Sequence, residues 1–294
     1  MIPEERAFYT TQSRMSDAGE RTPLLAAFPR DPARPVAAVS RLVLQFVAPL
    51  AVTPSPESAD DVECRAMSRM LDRILARDAS LLDAARPLER RFIGICRNYA
   101  LLACSALRHH GIPARLRVGF AAYFTPGLHE DHWVCEYHAG DRWRLLDAEL
   151  SDRVRAHFGV DFDAADVPRD VFLVAGEAWA RARRGALDPG TCGVSAIGIS
   201  GPQFLASSVV RDLAALNKRE MLAWDVWGLA RGLAPGAPIP ERTATRPDAV
   251  ATLIAAPDPG WRALREAYED EGLRVPRVVL SFTDRGPIEV AVDV

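Results

Sequence analysis

The chain has 294 residues, 49% of them hydrophobic and 26% charged, with a formal net charge of −3 and a pI near 6.1. That is an ordinary globular composition, and it excludes the broad positive field that would draw a protein to nucleic acid or an anionic membrane. Five irregularly spaced cysteines make no disulfide framework, no apolar run approaches the ~20 residues of a membrane span, and Met1 to Arg6 lacks the make-up of a secretion signal; a reducing cytoplasm is the expected setting.

Residues 1–30 are weakly periodic and read as a packed arm, with Phe8 to Ser13 as a short extended piece. Val36 to Ala48 reads as an apolar helix, between Pro35 at its first turn and Pro49 past its end. Ala51 to Ala59, with Pro54 and Pro56, reads as a loop. Asp60 to Ala76 has an amphipathic pattern, Val62, Met67, Met70, Leu71 and Ile74 opposing Arg65, Arg69, Asp72 and Arg73. A connector over Asp78 to Arg91 then leads to Gly94.

From Cys96 a helix is expected through His109 and His110, most of it buried, because Ala100, Ala103, Cys104 and Leu107 recur at helical spacing and Leu102 and Ala106 widen the stripe. Gly111 can close it in the left-handed conformation, Ile112 can supply the contact after it, and Pro113 stops continuation. A cysteine in the first turn meets the positive end of the helix dipole, which favours thiolate over thiol. Leu116, Val118 and Phe120 alternate with Arg115, Arg117 and Gly119, the pattern of a half-buried strand. Phe124 to Asp131 reads as a loop that could shape access to the residue after it, His132.

His132–Tyr137 and Arg142–Asp147 read as two strands around a turn at Ala139-Gly140. An even-length loop centred there sets His132 directly opposite Asp147, with Cβ atoms about 4.5–5.5 Å apart, close enough for a carboxylate to hold an imidazole. A three-residue loop with a bulge would put Leu146 there instead.

Further on, a helix is expected from Asp166 through Trp179 to Gly185, a Gly/Ser/Pro-rich linker or lid over Asp188 to Gly201, and a helix over Pro202 to Arg219. Pro235 to Pro240 reads as a break, 247–256 and 259–271 as short helices, and the alternation from Val278 to Val292 as a terminal hairpin. Among 36 basic residues Lys218 is the one lysine. With Asp212, Asn217, Trp224 and Asp225 it forms a polar and aromatic cluster, the first place to look for a second substrate.

The run Gly94-Ile95-Cys96-Arg97-Asn98, the closing Gly111-Ile112-Pro113-Ala114-Arg115, His132 opening one strand, and Trp143 to Asp147 in the next together resemble the transglutaminase-like superfamily, a branch of the papain-like cysteine enzymes. The likeness covers residues 90–150. It implies Cys96 as nucleophile, His132 as base and then acid, and Asp147 as the group that orients the imidazole. The chain departs from the family at one place: Trp133 directly follows His132, where the family often has Trp two residues on, while Glu136 keeps the fourth place.

The expected chemistry is acyl transfer from an amide or thioester to an amine or water, with the backbone N–H of Cys96 as one oxyanion donor and a second donor unidentified. Amidase or peptidase action is the near alternative, and a silent binding scaffold the distant one. Trp133 and Trp143 flank the triad as substrate-stacking or core residues. His129, His132, Cys135 and His138 are zinc-competent side chains, but a regular strand turns His132 and Cys135 to opposite faces, so no metal and no cofactor is expected. The expected fold is α+β, with the nucleophile helix packed on an antiparallel sheet: an N-terminal helical extension over 1–90, the catalytic core over 91–160, and a mainly helical extension over 161–294. The expected partners are a small-molecule or peptide substrate and an amine acceptor, with neither nucleic acid nor membrane.

Overall fold

A computed structural model describes residues 1–31, 34–45, 58, 60–233 and 239–292. The chain forms two compact units: Met1–Leu116 with Trp133–Val167, and Arg117–His132 with Pro168–Val294.

The first unit opens with α1 (Pro3–Thr10), so Phe8 to Thr10 is helical rather than extended. Pro3 at the first turn with Glu4 and Glu5 behind it favours a helix start. A 3₁₀ turn (Gly19–Ala27) leads to α2 (Pro35–Ser40), which ends well short of Ala48 because Val43 to Gln45 form strand β1 instead. The last part of that expected helix and nearly all of the expected 51–59 loop lie outside the described residues. α3 (Met67–Arg77) also starts later than expected, after a 3₁₀ turn at Asp61–Glu63. The cause is Asp61: its buried carboxylate accepts from Arg73 (3.0 Å), from Arg77 (2.5 and 2.8 Å) and from the backbone N–H of Ile93 (2.9 Å). Ile93 lies in β2 (Phe92–Gly94), which pairs in parallel with β1.

α4 (Cys96–His109) follows, buried from Cys96 to Arg108 and packed by α1, α2 and α3. Burial of Leu101, Leu102 and Leu107 contributes about 1.5–3 kcal/mol each. Asn98 accepts the Ile95 N–H at 3.0 Å, fixing the entry. Gly111 closes the helix at φ 73° as expected, with Gly111 N–H to Arg108 O and Ile112 N–H to Leu107 O, both 3.0 Å. On its sheet side Cys104 meets Cys135, and Arg108 donates to Ala114 O at 2.9 Å.

The six-stranded sheet contains β3 (Ala114–Ala121) and β4 (His129–His138), which are neighbours, with β5 (Trp143–Leu146) also on β4. β3 is buried along its whole length rather than on alternate residues. Arg115 and Arg117 are the reason, since each has a distant carboxylate: Arg115 Nε donates to Glu136 at 2.7 Å, and Arg117 pairs with Asp212. β4 starts at His129, three residues inside the expected loop.

The hairpin register differs from the expected one. Cys135 faces Leu146 and His138 faces Trp143, and Ala139 N–H donates to Arg142 O at 2.9 Å. The loop has the expected even length but is Gly140-Asp141, one residue later than Ala139-Gly140. The pairing therefore shifts by two, and Asp147 falls opposite Val134, not His132, on continuing the register. The unit closes with α5 (Asp152–Phe158).

In the second unit, Phe172 to Val174 form β6 on β3, and α6 (Ala175–Arg183) follows; the helix expected from Asp166 thus begins only after an apolar, β-favouring run. The expected lid is built into the sheet. β7 (Cys192–Val194) pairs in parallel with β4 through His129 and Glu130, and β8 (Ile199–Ser200) pairs with β7. α7 (Pro202–Leu216) comes next, then β9 (Asp225–Val226), α8 (Gly228–Arg231), α9 (Glu241–Ile254) and α10 (Trp261–Ala267). Residues 235–238 of the expected Pro-rich break lie outside the described residues. α6, α7 and α9 pack on one another. The expected terminal hairpin is β10 (Val278–Thr283) and β11 (Gly286–Ala291), extended by β9. Among the described residues no helix is long and apolar enough to cross a membrane.

Candidate active site

Cys96 is the first residue of α4 and 8% exposed. Arg97 and Asn98 fasten that first turn: Arg97 donates to Arg65 O at 2.6 Å and to Cys64 O at 3.4 Å, and Asn98 Nδ2 to Cys64 O at 3.4 Å. The other cysteines are placed differently. Cys104, Cys135 and Cys192 are fully buried, and burial pushes the Cys135 thiol well up and Cys192 to about 11. Burial also raises Cys64, against the pull of Arg73.

Asp147 lies just past β5, its N–H held by Ala164 O at 2.8 Å. It is 1% exposed, and its Oδ1 accepts the Glu149 N–H at 3.0 Å. Tyr99, one turn beyond Cys96, is buried and donates to Val43 O at 3.1 Å. Burial, then the charges of Glu149 and Asp147, hold its hydroxyl pKa well above the ordinary value, so α4's first turn and both carboxylates share one neighbourhood.

His132 is 2% exposed in the second unit's stretch of β4. Phe124, Tyr123 and Phe172 surround its ring edge-on, with centroids at 5.0, 6.2 and 6.2 Å. Such a nest restricts the ring's rotation. Asp131 before it is raised in pKa by burial, against the lowering influence of Arg211 and His132.

Trp133 is 1% exposed. Trp143 is buried under the Arg115 guanidinium, 3.7 Å from ring centroid to Cζ, with Tyr9 edge-on at 5.4 Å. Both rings are core members. Asp212 holds Arg117 and the Val118 N–H (2.8 Å). Asn217 caps α7, donating to Leu213 O and Leu264 O and accepting from Arg265 at 2.8 Å. Asp225 accepts the Leu222 N–H at 3.0 Å. Trp224 is half-buried. Lys218 is buried and, among the described residues, is the one non-glycine at positive φ, 61°. It sits just past α7, where Lys218 N–H to Ala215 O and Arg219 N–H to Ala214 O, both 2.9 Å, close the helix as a Schellman motif. The described residues contain no group of three or more His, Cys, Asp or Glu able to hold a metal ion.

Two residues at the first unit's site were not anticipated. Gln45 ends β1 opposite Gly94, and its Nε2 donates to Glu149 Oε1 at 2.8 Å. Glu149 is 7% exposed. Its one sequence signal is an acid within the apolar run Leu145 to Leu150, two residues past Asp147.

No curated protein matches the chain. A solved structure from Cytophaga hutchinsonii, described as a candidate cysteine protease, is similar at 17% identity and a TM-score of 0.35, over 59% of this chain and 46% of that one. This chain therefore spans less than half of that protein's length. The family model described as Transglutaminase-like superfamily matches residues 64–148, a stretch that contains Cys96, His132 and Asp147. Residues 64–148 are a transglutaminase-like superfamily domain.

Proposed function

We propose that this protein is a cysteine-dependent enzyme that attacks an amide or thioester carbonyl, with Cys96 as nucleophile, His132 as base and acid, and Asp147 orienting the imidazole. The observation that carries the reading is the position of Cys96 at the head of a buried helix within the transglutaminase-like stretch. It is the one cysteine whose setting favours the anion by helix dipole.

In the first half-reaction the Cys96 thiolate forms a C–S bond to the carbonyl carbon, and the C=O π pair moves to oxygen. The oxyanion is met by the backbone N–H of Cys96, a donor in the first turn of α4. His132 protonates the leaving nitrogen or sulfur as that bond breaks, which gives the acyl-enzyme. It then takes a proton from an amine or water, which attacks the thioester and releases the thiolate. Asp147 fixes the imidazole tautomer and stabilises its cation.

Intact-mass spectrometry over a panel of amides and thioesters, with and without added primary amines, tests the reading. An acyl adduct that decays faster with amine, yielding the amide, is expected for transfer; decay indifferent to amine marks hydrolysis. A protein that forms no adduct with any member would be a binding scaffold.

A further inference from the structure

An oxyanion stabilised by one backbone donor is under-coordinated, and loss of a single such donor typically slows acyl transfer by about 100- to 1,000-fold. We propose that Gln45 donates the second hydrogen bond to the oxyanion formed on Cys96, and that Glu149 is the positioning residue that holds its amide.

The placement begins in the backbone. β1 and β2 run parallel with Gln45 opposite Gly94, two residues before Cys96. Neighbouring strands are about 4.8 Å apart and rise about 3.3 Å per residue, which puts the Gln45 and Cys96 Cα atoms roughly 8 Å apart, within a glutamine side chain's reach of the reacting centre. The approach is close because position 94 is glycine: a Cβ there would lie 2.8 Å from Val43 Cγ1 and 3.1 Å from Asn98 Cβ. Tyr99 makes a second tie, donating to Val43 O from the first turns of α4. β1 is thus fastened both to the entry of the nucleophile helix and to its first turns.

The side chain adds direction. An amide nitrogen carries two N–H groups in one plane, so a carboxylate on one of them fixes where the other points. Glu149 Oε1 accepts at 2.8 Å from Gln45 Nε2, and the Glu149 N–H is held at 3.0 Å by Asp147 Oδ1. The carboxylate that would steady His132 is therefore linked, through Glu149, to the Gln45 amide. A donor prepared before the charge develops needs no reorganisation during reaction.

The inference rests on the reaction proposed above, and a comparison of two probes separates the failure of one from the failure of the other. p-Nitrophenyl acetate acylates a thiolate by addition: the C–S bond forms, the carbonyl pair becomes an alkoxide, and that pair returns as the C–O bond to p-nitrophenolate breaks. Iodoacetamide alkylates the same sulfur by displacing iodide at a saturated carbon, with no oxyanion. Gln45→Ala is expected to slow acylation of Cys96 about 100- to 1,000-fold while alkylation holds its wild-type rate. The near-isosteric Gln45→Glu, lacking the N–H and adding charge, is expected to slow it at least as much, and it covers the case in which the alanine variant misfolds. Glu149→Ala should lower the acylation-to-alkylation ratio at least 10-fold, and Glu149→Gln, whose amide oxygen still accepts, should restore most of it. Equal acylation in Gln45→Ala and wild type overturns the inference and leaves the cysteine reaction standing, as does a parallel fall in both rates. A wild type that p-nitrophenyl acetate does not acylate overturns both.

Discussion

Arg117 and Asp212 meet through two parallel hydrogen bonds, Nε to Oδ1 at 3.0 Å and Nη2 to Oδ2 at 2.8 Å, with neither side chain exposed. Arg117 also donates to Ile254 O at 2.8 Å, so one guanidinium ties β3 to α7 and to the end of α9. A buried pair of this kind is costly to break because the survivor is left charged without water. Asp212→Ala is expected to lower unfolding stability by about 3–5 kcal/mol in urea titration. The double variant Arg117→Met, Asp212→Leu should recover part of that loss, since no charge is stranded, although the Val118 N–H still loses its acceptor.

The same pair marks where sequence reading ends. Local signals placed α4 well, because apolar spacing, a glycine at the close and a proline beyond all act within one stretch of chain. The terminal hairpin was legible for the same reason. Arg117 read as solvated because its partner lies on α7, and Asp212 read as a ligand contact because its partner lies on β3. Likewise the delayed start of α3 depends on Asp61 reaching Arg77 and Ile93. Of the candidate site, Cys96 was visible as a thiol at a helix head; Gln45 and Glu149 were not, since a parallel strand pairing brings them to it. A one-residue difference in the loop moved the hairpin register by two and left the sense of the pleat unchanged.

Gly94 should not tolerate a side chain. Gly94→Ala forces Val43 or Asn98 to give way and is expected to cost about 1–3 kcal/mol, read as a lowered thermal midpoint. The acylation rate of Cys96 should fall with it, because β1 would be pushed away from the helix entry.

Asp131 predicts a pH dependence. Burial raises its pKa above the ordinary value near 3.9, so the folded state resists its ionisation. Below the unfolded pKa both states are protonated and the group costs nothing; as pH rises from there toward the folded pKa, stability is lost. Asp131→Asn should therefore match wild type near pH 3 in denaturant titrations and exceed it increasingly as pH rises toward 6. A gap that shrinks with pH would contradict this.

The proposed roles of His132 and Asp147 differ in what they leave behind. His132→Ala should slow turnover on the order of 100- to 10,000-fold, the usual worth of general acid–base catalysis. Asp147→Asn should slow turnover while the thermal midpoint stays within a few degrees, since the amide oxygen can still accept the Glu149 N–H.

The sulfur itself gives the most direct measurement. Limiting iodoacetamide at mildly acidic pH, followed by peptide mapping, reports which of five thiols is ionised and reachable. Burial disfavours the anion at Cys64, Cys135 and Cys192, and Cys104 is closed off against Cys135. The expected result is a single label on Cys96, absent from Cys96→Ala and accompanied by loss of acyl-enzyme formation. A label spread over several cysteines, or an acyl adduct that persists in Cys96→Ala, would contradict the account.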